Sequence, residues 1–427
     1  MECEVPPDLI WEILVRLPAI LLLKLKCVCR SWKSLISSPE FAMHHLQYST
    51  LNPSTPLLCW NQGTMTHPIK HGLKEALHKV RTNDTIMHSR YFFNYCRPIP
   101  DVFFTYLPID GAKGIIRGSC NGLLCLSNSG FPLHTLTLLN PTTRSASPTI
   151  SVPFHPHHQE NIPFWGFGYD ALHDKYKFVI GCCNSSSSSG AIVCTFGANP
   201  CCKTVDHPAF QYHIYGADGI FFNGTLNWTV YDPSTQNSKF GIYQYRNSWS
   251  NHAPYTEFDL FPNTEWFLLT FDLETESFGQ FCLPPEGYGK PHLQVLNNST
   301  LSVCYRYDYR TENKYIVIWI MKKEEEEQDY SWTKLFKIPN NAGGISNLII
   351  APLYYLSLSD SHIVLALDEP YHRLFLLRIG TSLFGTVITP QSCDLRPLMY
   401  FKCPASLYIC HETLLSPEHY SRLTTNT

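Results

Sequence analysis

Cys120-Asn121-Gly122-Leu123-Leu124-Cys125-Leu126 is a tight-turn signal opening onto an apolar run. The apolar run reads as a strand, and a second strand ends at Leu138-Leu139-Asn140-Pro141. The same order recurs downstream. Asn223-Gly224 precedes Thr225-Leu226-Asn227-Trp228, with a partner at Phe267-Leu268-Leu269-Thr270-Phe271-Asp272. Asn298-Ser299 precedes Thr300-Leu301-Ser302-Val303-Cys304, then Tyr315-Ile316-Val317-Ile318-Trp319-Ile320. Asp360-Ser361 precedes His362-Ile363-Val364-Leu365-Ala366, then Leu374-Phe375-Leu376-Leu377. Each unit is a turn, a strand, a connection and a second strand. Such recurrence with variable insertions fits a β-propeller of small antiparallel sheets. Its spacing is irregular, and a β-sandwich satisfies it too.

Composition agrees with a mainly β chain. The 427 residues permit one to three domains. Hydrophobic residues make up 44%, enough for a core, while charged residues reach only 16% and aromatics 14%. That balance suits short aromatic-rich strands better than charged surface helices. A net charge of −3 supplies neither the basic face of a nucleic-acid binder nor a polybasic membrane anchor. The apolar run at 17–25 is broken by Lys24 and is too short to span a bilayer. Glu2, Glu4, Asp8 and Glu12 carry the wrong charge for a signal peptide. The chain is therefore expected in the cell interior, cytoplasmic and/or nuclear. There the 17 cysteines should be reduced, mostly as small buried hydrophobes, and sequons such as Asn223-Gly224-Thr225 unmodified.

The first 48 residues have a different texture. Pro6-Pro7-Asp8 opens a helix, with proline at its first position and an acid in its first turn, and Pro18 closes it. Leu9, Ile10, Ile13, Leu14 and Leu17 fall within an arc of about 140°. Trp11 and Val15 form a second apolar facet, so one face serves a local core and another is left over. Residues 19–29 are apolar nearly all round, which demands burial on most sides. Trp32, Leu35 and Ile36 come next at helical spacing, and Ser38-Pro39-Glu40 starts one more helix. About 45 residues cannot bury this much apolar surface alone. Such a unit docks on a partner or caps the rest of the chain.

Residues 5–46 resemble the F-box. The motif runs Val5-Pro6-Pro7-Asp8-Leu9-Ile10, Glu12-Ile13-Leu14, Arg16-Leu17-Pro18, Leu22-Leu23, Cys27-Val28-Cys29-Arg30-Ser31-Trp32, Leu35-Ile36, Pro39 and Phe41. The resemblance implies three to four helices that bind a Skp-type adaptor and, through it, a cullin. It carries adaptor contact onto Pro6, Leu9, Ile13, Leu14, Leu17, Pro18, Leu22, Val28, Cys29, Arg30 and Trp32. The chain departs from the motif twice. Val5 stands where leucine is usual, and Ile20-Leu21 replaces a polar pair, removing a cap for the second helix and adding apolar surface.

A second resemblance covers roughly residues 90–380. Gly118-Ser119-Cys120-Asn121-Gly122-Leu123-Leu124-Cys125, Asn140-Pro141-Thr142-Thr143-Arg144, Phe167-Gly168-Tyr169-Asp170 with Asp174-Lys175-Tyr176-Lys177, Phe222-Asn223-Gly224-Thr225-Leu226-Asn227-Trp228 and Phe271-Asp272-Leu273-Glu274-Thr275-Glu276 look like the plant F-box-associated interaction domain. That family implies a kelch-like β-propeller that holds a protein substrate for ubiquitylation. The expected organisation is an F-box at 1–48, a connector at 49–85 with one strand at 56–60, the β domain at 86–405 and a polar tail at 406–427. The expected role is the non-catalytic substrate-recognition subunit of a Skp-cullin-F-box ubiquitin ligase. The alternative is a β-propeller binding protein acting outside the ligase.

Other chemistry finds little support. Gly166-Phe167-Gly168-Tyr169-Asp170-Ala171 nearly matches a dinucleotide loop, yet Asp174-Lys175-Tyr176-Lys177-Phe178-Val179-Ile180 after it reads as a strand rather than a helix. Cys201-Cys202 with His207 and His213, and His155-Pro156-His157-His158, lack paired metal-ligand spacing. No Walker A, G-x-S-x-G or H-E-x-x-H sequence occurs. Cys27 and Cys29 lie near Lys26 and Arg30, but the motif makes them packing and contact positions, with no thioester required. No cofactor, metal, nucleic acid or membrane partner is expected. Residues 185–189 read as a flexible serine loop and 324–327 as a solvated hairpin tip.

Overall fold

The computed structural model describes residues 6–51, 56–62, 65–69, 114–128, 135–153, 163–182, 190–197, 199–206, 213–214, 218–231, 266–284, 291–296, 300–306, 315–323, 330–339, 350–357, 361–368, 373–380, 393–400 and 407–418. Of the expectations above, the hairpin tip, the serine loop, the histidines at 155–158 and His207 lie outside them.

Four helices open the chain: α1 (Pro7–Val15), α2 (Ala19–Leu25), α3 (Arg30–Ile36) and α4 (Pro39–Leu51). Pro7 starts α1 with Asp8 in its first turn. Ser38 caps α4 as expected, its hydroxyl accepting the Phe41 N–H at 3.2 Å. Leu14, Ala19, Leu22, Ile36, Phe41 and Leu46 fill the space between the helices, none above 5% exposed. Trp11 meets the Phe41 ring edge-on at 5.0 Å. The Trp11 and Val15 facet, with Leu14, is therefore the inward one. Leu9 and Ile13, from the broader apolar stripe, face out.

His45 lies in this core. Its Nε2 bonds the Leu17 carbonyl at 2.9 Å, and its ring stacks on Phe41. Its Nδ1 is buried without a hydrogen-bond partner. Burial holds the imidazole below its ordinary pKa, with the Leu17 carbonyl opposing in part.

The rest is β. β1 (Pro56–Gln62) and β2 (Met65–Ile69) form a hairpin inside the expected connector. β3 (Gly114–Cys120), β4 (Leu123–Asn128), β5 (Thr135–Asn140) and β6 (Ser145–Ala146) pair in chain order, with β7 (Ile150–Ser151) also on β5. β8 (Pro163–Asp170), β9 (Lys175–Cys182), β10 (Gly190–Thr195) and β11 (Cys201–Asp206) make the next meander. After β12 (His213–Ile214), which joins β14, come β13 (Asp218–Phe222), β14 (Thr225–Tyr231), β15 (Trp266–Asp272) and β16 (Ser277–Cys282). Two more four-stranded sheets complete the series. The first is β17 (Pro291–Leu296), β18 (Thr300–Arg306), β19 (Tyr315–Lys323) and β20 (Tyr330–Pro339). The second is β21 (Ile350–Ser357), β22 (Ser361–Asp368), β23 (Arg373–Gly380) and β24 (Cys393–Tyr400). β25 (Leu407–His411) returns to pair with β1, Pro56 opposite His411.

Two compact units result. The first holds the helices, β1 to β11 and β25; the second holds β12 to β24. All four strand pairs expected from the repeat, β4/β5, β14/β15, β18/β19 and β22/β23, are antiparallel neighbours. Meanders of consecutive strands are blade-like, and the β region is propeller-like. In the second unit Leu268, Leu301, Val303, Val317 and Trp319 form one apolar cluster.

Two turn chemistries repeat. Asn121-Gly122 and Asn223-Gly224 have φ of 51° and 77°, and 46° and 77°, the paired positive values of a two-residue hairpin. A second class spans four residues and ends on a left-handed residue: Arg144 (φ 60°), Asp174 (50°) or Glu276 (53°). Each is preceded by an Asx residue whose Oδ1 accepts two turn N–H groups. Asn140 serves Thr142 and Thr143, Asp170 serves Leu172 and His173, and Asp272 serves Glu274 and Thr275. The side chain supplies the bonds that let a non-glycine residue hold αL.

Asp170 does more. It is 1% exposed, and its Oδ2 receives Lys177 Nζ and His173 Nδ1, each at 2.8 Å. Burial raises the carboxyl, but hydrogen bonds from Lys177 and His173 outweigh this and hold it below its usual value. Gly118 answers a packing demand. A Cβ there would sit 2.6 Å from the Cβ of Phe167, so β3 and β8 approach this closely only with glycine.

Two expectations need correction. The segment expected as a polar tail contains β25, and Thr413, Leu414 and Leu415 beyond it are buried. Strand pairing with β1 and apolar burial order it, and both depend on a partner some 350 residues away. The cysteines are not uniformly thiols either: Cys194 and Cys202 are disulfide-bonded. They lie on neighbouring strands with Cα atoms 4.1 Å apart, a proximity that pairing creates. Cys120, Cys125 and Cys304 are buried free thiols as expected, but Cys27, Cys29, Cys201 and Cys282 are exposed.

Replacing Lys177 with Met leaves the Asp170 carboxylate buried without its cation, at an expected cost of about 3–5 kcal/mol in denaturant unfolding. D170N/K177M should recover much of that loss, because an asparagine side chain keeps the turn acceptor without a charge. Equal losses in the single and double variants would exclude a charge origin. For His45, a folded-state pKa below the ordinary 6.5 means the unfolded chain takes the proton first as pH falls. Stability at neutral pH should therefore decline from about pH 6.5 downward. In thermal melts H45Q, which keeps a donor to Leu17 but does not titrate, should show a smaller decline. An unchanged slope would remove His45 as the source.

Candidate functional site

The helical unit exposes what a folded monomer usually hides. Among the described residues, the large hydrophobics that stand out in solvent are Leu9 (53% exposed), Ile13 (57%), Leu21 (40%), Val28 (61%) and Leu172 (66%). Four of these five lie within residues 9–28. Leu9 and Ile13 sit one turn apart on α1, so their side chains form a row. Leu21 is on α2, and Val28 is in the turn before α3. Apolar exposure concentrated in one short helical stretch is the kind of surface that docks a partner.

The eleven residues expected at the adaptor face separate into three groups. Pro6, Leu9, Ile13, Pro18, Val28, Cys29 and Arg30 are exposed. Leu17 and Trp32 are half-buried. Leu14 and Leu22 are 1% and 0% exposed, and this corrects their assignment. They pack among the helices and cannot reach a partner without opening the core, so they support the face. Leu21 was missed, although its apolar character had already marked it as a departure from the motif.

On the α2–α3 side the rim is basic, with exposed Lys24, Arg30 and Lys33 and half-buried Lys26, while α1 exposes Asp8 and the Glu12–Arg16 pair. Partial burial, then the charge of Lys33, lowers the Lys26 pKa. Cys29 precedes α3 and its Sγ accepts the Trp32 N–H at 3.5 Å. The Ser31 hydroxyl first, then the Trp32 N–H, hold its thiol below the usual value.

Pro18 stands at the N-cap position of α2 and leaves it without a local side-chain cap; Ile20-Leu21, to which the missing cap was assigned, lie inside the first turn instead. A cap arrives from elsewhere: the Glu412 carboxylate accepts the Ile20 N–H at 3.3 Å, from a residue 392 positions away. Asn140, fully buried, donates from Nδ2 to the carbonyls of Thr413 at 2.9 Å and Leu415 at 2.7 Å. Neither partnership leaves a local signal in the chain.

The competing chemistries do not assemble. Gly166 to Asp170 lie in β8, which is followed by β9 rather than a helix, so the dinucleotide-loop geometry is missing. Cys202 is committed to Cys194. Among the described residues, no three His, Cys, Asp or Glu side chains converge as a metal site.

Two family models match the chain. One, described as the F-box domain, covers residues 3–44. The other, described as the F-box associated beta propeller domain, covers residues 115–387. The F-box/kelch-repeat protein At3g23880 of Arabidopsis thaliana is 25% identical over 85% of this chain and 85% of its own length. F-box protein At4g22390 of the same plant is 23% identical over 82% of this chain and 78% of its own. Among solved structures, the WD40 domain of SCAP from fission yeast covers 70% of this chain and 76% of that one, with 12% identity and a TM-score of 0.26. With an F-box at its start and the second model spanning more than half its length, the chain belongs to the F-box proteins that carry an F-box-associated β-propeller domain.

Proposed function

We propose that this protein is the substrate-recognition subunit of a Skp-cullin-F-box ubiquitin ligase. Its helical face docks the Skp-type adaptor, and its β domain holds a protein substrate. The exposed row of Leu9 and Ile13, with Leu21 and Val28, is the observation that carries this reading. Complete burial of an aliphatic side chain contributes about 1.5–3 kcal/mol, so four half-exposed ones offer roughly 1 kcal/mol each to a complex. Ordering and association costs take back part of that sum. The basic α2–α3 rim favours an acidic surround on the adaptor. Leu14 and Leu22 act from behind by holding α1 and α2.

In this role the chain needs no reactive group. The other subunits carry ubiquitin, and the recognition subunit raises the effective concentration of a substrate lysine beside it. An intracellular site of action, cytoplasmic or nuclear or both, goes with the role.

Exposed positions make the cleanest test, because their substitution spares the core. In pull-downs with the purified adaptor, I13D/V28D should recover at least tenfold less adaptor than wild type, with unchanged melting of the full chain. Unchanged recovery would overturn the assignment. L14D would be uninformative, because a buried charge at that position unfolds the helices.

A further inference from the structure

We infer that the segment 412–415 is a strut that fixes the F-box on the first β unit, with Glu412 as the positioning residue that reaches α2. β25 leads into it and is anchored by its ladder to β1. Glu412 then accepts the Ile20 N–H at 3.3 Å. The next residues are gripped by the turn after β5. Asn140 Nδ2 donates to Thr413 O and Leu415 O, and the Thr413 N–H donates to Thr142 Oγ1 at 3.3 Å. Within the segment, the Leu415 N–H donates to Thr413 Oγ1 at 3.2 Å. Asn140 and Thr413 are both 0% exposed, so these bonds form away from water, where leaving one unmade is costly.

The geometry puts one short segment in contact with two different elements. One residue caps a helix of the F-box, and its neighbours are locked to a β hairpin. Asn140 is fully engaged there, with its amide on the strut and its Oδ1 on the Thr142 and Thr143 N–H groups. The same side chain thus shapes the turn and holds the strut against it. With proline at its N-cap position α2 has no side-chain cap of its own, so the cap here exists only while the strut is seated.

The consequence for ubiquitin transfer rests on the ligase role proposed above. An F-box free to swing would lower the effective concentration of substrate lysines near the carrier. The readouts of the strut itself do not depend on that role.

The test compares full-length wild type, E412Q, E412A and E412A/P18S by hydrogen exchange and small-angle scattering. Glutamine keeps an acceptor oxygen, so E412Q should match wild type in both. E412A should speed exchange of the first α2 amides roughly fivefold, the ratio corresponding to an ordinary helix cap, and should enlarge the maximum dimension of the particle. The serine hydroxyl introduced by P18S supplies a local cap, so E412A/P18S should slow exchange again while the particle stays enlarged. A scattering profile unchanged in E412A, or restored by P18S, would overturn the strut and leave only a capping contact. Adaptor capture by wild type, measured alongside, reports separately on the ligase role.

Discussion

Buried Asn140 is the constraint on which the first unit depends. A fully buried amide side chain is tolerated only when its donors and acceptors are all engaged. This one has two carbonyls of the 413–415 segment on its NH₂ and two turn N–H groups on its oxygen. The two NH₂ bonds join positions more than 270 residues apart in sequence. Closing so long a loop costs chain entropy, which grows slowly with length, and the β1–β25 ladder must offset it. The unit therefore forms only when distant parts of the chain meet. The β1–β25 ladder, the Asn140 bonds and the cap on α2 all draw on the one stretch 407–415.

The three Asx turns show how one geometry is put to different uses. Asp272, only half-buried, serves its turn alone. Asp170 has the same turn bonds but sits inside the protein, so its charge requires Lys177, itself 4% exposed. Asn140 has neither charge nor cation and uses its spare amide donors on the strut. Asparagine rather than aspartate at this position is what allows two carbonyls to approach. A carboxylate would meet them with repulsion.

Much of this was legible in the chain, and the limits have physical causes. Asn-Gly turns fix φ locally, so the turns at 121–122 and 223–224 and the strands that follow them could be read from a few residues, whereas the strands before them, β3 and β13, were not. Pro7, Ser38 and Pro39 marked helix starts for the same reason. Helix faces were harder. Periodicity put Leu9, Ile13 and Leu14 on one stripe, but only packing within the helical core decides that Leu14 turns in while its neighbours stay out. The ordering of 407–418 was missed: Leu407-Tyr408-Ile409-Cys410 carries only a short apolar strand signal, and its pairing partner lies far away in the chain. The Cys194–Cys202 bond was hidden too, since it depends on which strands become neighbours.

Ile20-Leu21 links the helices to the first β unit. Pro18 at the N-cap position offers the first turn of α2 no side-chain acceptor. Ile20 and Leu21, inside that turn, supply none either, and Leu21 extends the exposed apolar surface. An N–H is left that needs an acceptor. Ile20, half-buried, finds one in Glu412. A local cap and a distant one contribute similar stability to a seven-residue helix, but only the distant one links that helix to the segment that Asn140 holds.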